Sequence, residues 1–73
     1  MTEAELIELA IAYLKSHYGE DTVSMDVRTN SVADGNGELH VDCTVSIAGS
    51  ESDWTKWFTF VNGEVTRMRW QMR

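Results

Sequence analysis

His40 and Asp42 stand two positions apart in Leu39-His40-Val41-Asp42-Cys43-Thr44-Val45, a stretch that alternates apolar and polar residues. On a strand that spacing puts both side chains on one face. A carboxylate beside an imidazole raises its proton affinity, the elementary requirement of an acid–base pair. Cys43 carries a sulfur that an imidazole could activate as a nucleophile. Its odd-numbered position, however, places it with Val41 and Val45 on the face opposite His40. The pattern argues for a solvated polar face backed by a buried thiol. His17, His40 and Cys43 are the soft metal-ligand candidates, and their spacing is not that of a zinc site. Asp34-Gly35-Asn36-Gly37 lacks the later acidic ligands of a calcium loop and reads as a turn. No phosphate-binding loop or dinucleotide fingerprint is present. The sequence implies no enzyme, no metal site and no cofactor.

The densest feature is aromatic and basic. Trp54, Trp57, Phe58, Phe60 and Trp70 crowd the last twenty residues with Lys56, Arg67, Arg69 and Arg73 against the single acid Glu64. Residues 1–53 hold eleven acids and only Lys15 and Arg28 as bases, a balance of −9, whereas residues 54–73 balance at +3. The net charge of −6 repels phosphate backbones and disfavours nucleic acid. Trp and Arg are the residue types that anchor interfaces. Trp57, Arg67 and Arg69, with His40 on the neighbouring polar face, are therefore the candidate ligand- or partner-binding residues.

These residues need elements to position them, and the chain reads as one helix and four strands. The helix spans about 3–18. Thr2 with Glu5 forms a capping box, Leu6, Ile7, Ala10, Leu14 and Tyr18 recur at helical spacing, and Gly19 stops it. Strands follow at about 22–32, 38–48, 54–61 and 64–72. In the first, Val23, Met25 and Val27 share the buried face. In the second, Leu39, Val41, Cys43, Val45 and Ile47 do so. Gly49 to Asp53 reads as a polar loop. For the last hairpin, a three-residue loop pairing Phe60 with Glu64 gathers the large apolar groups on one side. It places Trp57 beside Arg67 and Thr55 near Arg69. The expected fold is α+β, one N-terminal helix packed on a curved four-stranded antiparallel meander in the order α-β-β-β-β.

Seventy-three residues make one domain. A single cysteine allows no internal disulfide, which points to a reducing cytoplasm. The first residues, MTEAELIELA, carry acids where a secretion signal needs bases. No apolar run approaches the roughly 18 residues of a membrane span. The segment WFTFVNGEVTRMRW, an apolar strand, an Asn-Gly turn and an Arg-bearing strand, resembles the last hairpin of cystatin-like and NTF2-like small α+β proteins. The resemblance implies a helix wrapped by an antiparallel sheet and carries over no functional residue. One helix covers only part of such a sheet, which leads to two functional expectations. The first is a protein-interaction or dimerisation module, joined to a second copy or another protein through the outer sheet face or an edge strand. The second is a binder of a small anionic or aromatic ligand between helix and sheet.

Overall fold

The computed structural model describes all 73 residues. A helix, α1 (Glu3–Tyr18), is followed by β1 (Asp21–Asn30), β2 (Gly37–Ile47), β3 (Ser50–Val61) and β4 (Glu64–Met72). The strands form one antiparallel sheet in the order β1-β2-β3-β4, so every pairing joins sequence neighbours. This is the α+β architecture read from the sequence. No helix is long and apolar enough to cross a membrane.

The helix begins as its first residues dictate. Thr2 Oγ1 accepts from the Glu5 amide at 3.2 Å, and Glu5 Oε1 accepts from the Thr2 amide at 2.7 Å. Those bonds from Thr2 hold the Glu5 carboxyl below its ordinary pKa. Gly19 ends the helix at φ 68°, where its lack of a side chain avoids strain. Leu6, Ala10 and Leu14 bury one face against Leu39, Val41, Cys43 and Val45 of β2, Phe58 and Phe60 of β3 and Met68 of β4. Burying a large side chain of this kind is worth about 1.5–3 kcal/mol.

Three expectations about the strands are corrected. β3 begins at Ser50, not Trp54, because Ala48 (φ 51°) and Gly49 (φ 85°) turn the chain in two residues. The polar residues 50–53 extend the strand, with Asp53 taking a hydrogen bond from Thr44 at 2.6 Å. In β1, shifts at Val23 and Arg28 each insert one extra residue. The first turns Val23 to solvent at 55% exposure, leaving Met25 and Val27 against the core. The last hairpin closes on Asn62-Gly63 with Val61 opposite Glu64, and the bulge comes afterwards at Thr66. The large apolar groups do share a face as expected. Trp57 nevertheless faces Arg69, Thr55 faces Gln71 and Arg67 faces Thr59. A tight primed turn matches strand twist better than the longer loop, and the bulge restores the face assignment.

Two turns lock together at one end of the sheet. The Gly63 amide donates to Gly35 O at 2.9 Å, and the Asn62 amide to Asn36 Oδ1 at 3.0 Å. A Cβ on Gly35 would lie 2.6 Å from the Gly63 nitrogen. Gly35→Ala therefore combines a positive φ with a backbone clash, and should cost roughly 2–4 kcal/mol. Gly49→Ala, which has φ 85° but open space, should cost only about 1–2 kcal/mol. Urea unfolding midpoints at constant m-value check the ranking.

Candidate functional site

Alternation along β3 sends Trp57 to the outer face and Trp54, Lys56, Phe58 and Phe60 to the helix side. On the outer face the structure brings three of the four candidate residues together. The His40 ring stacks on Trp57 with centroids 4.8 Å apart and planes 13° from parallel. The Arg69 guanidinium carbon lies 5.1 Å from the Trp57 ring centre, and Arg69 also reaches Glu38 at 3.2 Å. Arg67 stands apart beside Thr59 and makes no ion pair. Trp57 is half-buried in this row, so the aromatic that the sequence placed outermost is held between its cross-strand neighbours.

The acid–base pairing suggested by His40 and Asp42 does not form. Asp42 accepts from Thr55 at 2.7 Å and from Arg28 at 2.9 Å. The Thr55 hydroxyl, with help from Arg28, holds its carboxyl below the ordinary range. Nε2 of His40 is buried without a partner. Cys43 lies on the other face and is 1% exposed, and burial pushes its thiol up to about 11. A buried, protonated thiol is a packing group and a poor nucleophile.

The more unusual arrangement lies on the helix side. Lys56, counted in the sequence only as one base of a basic hairpin, is 2% exposed. Its ammonium meets Oε1 of Glu20, itself 8% exposed, at 2.6 Å. Glu20 directly follows Gly19, so the abrupt end of α1 aims its carboxylate under the sheet. The Lys56 nitrogen also lies 5.4 Å from the Trp54 ring centre and 5.8 Å from that of Tyr18. The Trp54 indole donates to Ser52 at 2.8 Å. Above the ion pair is a cavity of about 200 Å³ lined by Tyr18, Glu20, Trp54, Lys56, Met68 and Trp70. Lys56 was legible as the one charge in an otherwise apolar row at positions 54, 58 and 60. Its partner, 36 residues away, was not.

β4 borders this cavity and is also one of the two free edges of the sheet, β1 being the other. A shallow hollow formed by Trp57, Met68, Arg69, Trp70 and Gln71 lies along it. Trp70 is 56% and Met72 64% exposed, the largest apolar surfaces on any strand. The Arg73 amide donates inward to Asp53 at 3.2 Å. In an antiparallel ladder the inward-bonding residues alternate, so Gln71, Arg69 and Arg67 bond to β3. The free amides and carbonyls of the edge therefore belong to Met68, Trp70 and Met72.

The site is thus an open β-edge on a small α+β domain, with an aromatic cavity behind it. A scan against protein-family models, a search of curated proteins and a search of solved structures each return no match.

Two outcomes test this description. Glu20→Gln strands the Lys56 ammonium in the core and should cost about 3–5 kcal/mol, while Glu20→Leu combined with Lys56→Met should recover most of it. A double-mutant cycle by urea unfolding measures the coupling. Folding keeps the Cys43 thiol neutral, so the unfolded chain loses its proton first as pH rises. Stability should then fall between the ordinary thiol pKa near 9 and the folded value of about 11. Unfolding of Cys43→Ala across pH 8–11 should show a shallower decline.

Proposed function

We propose that the protein is an interaction module that receives an extended segment of a partner along the free edge of β4. The observation that carries this reading is the coincidence of unpaired backbone groups at Met68, Trp70 and Met72 with large exposed apolar side chains at two of them, Trp70 and Met72. Main-chain bonding gives such an edge its affinity, and the flanking side chains give it selectivity. An exposed apolar edge left unused is an aggregation hazard that sheets ordinarily blunt with bulges and charge. β1 is blunted in this way by its two bulges. β4 runs without interruption from Arg67 to Met72.

The outer face is a weaker candidate for the contact. Its central Trp57 is occupied by His40 and Arg69, and Asp42, Thr55 and Arg28 satisfy one another. The cavity behind β4 supports a supplementary role in the same contact, as a seat for a partner side chain. At about 200 Å³ it is smaller than the roughly 300–1,000 Å³ of a pocket that encloses a drug-sized ligand. The ammonium at its floor is already neutralised by Glu20.

Selection of nine-residue peptides from a random displayed library, followed by amide hydrogen exchange, tests the reading. Enriched peptides should slow exchange at Met68, Trp70 and Met72 and leave Arg67 and Arg69 little changed, since those amides already bond to β3. A selection that enriches nothing, or peptides that protect β1 or α1 in place of β4, would overturn it.

A further inference from the structure

We infer that the segment taken up by β4 is a polypeptide strand in which acidic residues alternate with large apolar ones. The inference rests on the reading of β4 as a docking edge and names the chemistry of its occupant. A strand added to β4 alternates faces in step with it, so its side chains meet two different surfaces. On the outer face they meet Arg67 and Arg69, whereas Arg73, beyond Gln71, turns its guanidinium across the sheet to donate to Cys43 O at 3.4 Å. Arg67 has no ion pair, and the side chain of Arg69 remains 55% exposed despite its contact with Glu38. On the helix side they meet the exposed Trp70 and Met72, and Trp70 also lines the cavity that Tyr18 and Trp54 wall. Carboxylates opposite the arginines gain charge-assisted hydrogen bonds. Apolar groups opposite Trp70 and Met72 remove exposed apolar area from water.

The same geometry disfavours a second copy of the chain. Antiparallel self-pairing of β4 must match outward-bonding residues with outward-bonding residues, which limits the registers. A two-fold axis at residue 68 sets Arg67 against Arg69, and an axis at 69 sets Arg69 against itself. An axis at 70 sets Arg67 against Arg73, and an axis at 71 sets Arg69 against Arg73. Like charges directly opposite on neighbouring strands destabilise the pairing. Docking of β4 on another copy's β1 is limited by the bulges, which leave no uninterrupted run longer than Ser24–Val27 on that edge.

The probes are two end-capped heptapeptides, Glu-Phe-Glu-Ile-Glu-Phe-Glu and its analogue with Lys at every Glu. The acidic peptide should bind, slow exchange at Met68, Trp70 and Met72, and weaken as salt rises. The lysine peptide should bind at least ten-fold more weakly. In the Arg67→Glu variant, which leaves the Trp57–Arg69 contact intact, the preference should narrow or reverse. Equal affinity for the two peptides at the β4 edge would overturn the inference while leaving the docking edge standing. If neither peptide protects β4, the inference fails, and the docking edge itself then stands or falls with the peptide selection. A dimer by sedimentation, with the same three amides protected, would replace the acidic partner by a second copy.

Discussion

A sixteen-residue helix is about 24 Å long, while a twelve-residue strand extends for about 40 Å. That difference in length organises the rest of the molecule. α1 starts near the docked turns, where Glu3 reaches Asn30, and ends with Tyr18 against Trp70. Leu6, Ala10 and Leu14 seal the sheet along the way. Past Tyr18 the helix has nothing further to offer, and the apolar face of β3 and β4 continues. Trp54, Trp70 and Met72 occupy that continuation, which explains why a domain with a closed core exposes large side chains at one end.

The Lys56–Glu20 pair sits at the boundary between the covered and uncovered parts. Taking two charges out of water is costly, and the return depends on good geometry and few unsatisfied donors. Here the ammonium has one short carboxylate contact and two aromatic faces nearby. An apolar pair of similar size would pack without a directional requirement. The ion pair instead fixes how the end of α1 sits over β3, because only a chain reversing at Gly19 can bring Glu20 to that point. It also neutralises the base of the cavity, so the walls seen from outside are mainly aromatic.

Much of the fold was legible in the residues. The capping box at Thr2 and Glu5, the glycine stop and the strict alternation from Leu39 to Val45 are local, and local chemistry sets them. Errors arose where a single residue changes the register. Val23 and Arg28 are bulged in β1, and no local pattern distinguishes an inserted residue from an alternating one. In the last hairpin, preference for a common apolar face was the right criterion, but it was satisfied by a bulge at Thr66 in place of a longer loop. That one-residue difference exchanged Arg67 for Arg69 as the neighbour of Trp57. Of the candidate site, Trp57, His40 and Arg69 were correctly gathered on one face. The exposure of Trp70 and Met72 could not be read, because it depends on where the helix ends relative to the strands, a property of packing.

The bulges of β1 also bear on stoichiometry. A sheet with two straight edges is bivalent, and each added strand recreates a fresh edge on which the next copy can grow. Here one margin is broken by two bulges and the other is straight from Arg67 to Met72. Under the proposed reading the domain would take a partner strand on β4 alone, and stacking of further copies through β1 would be blocked.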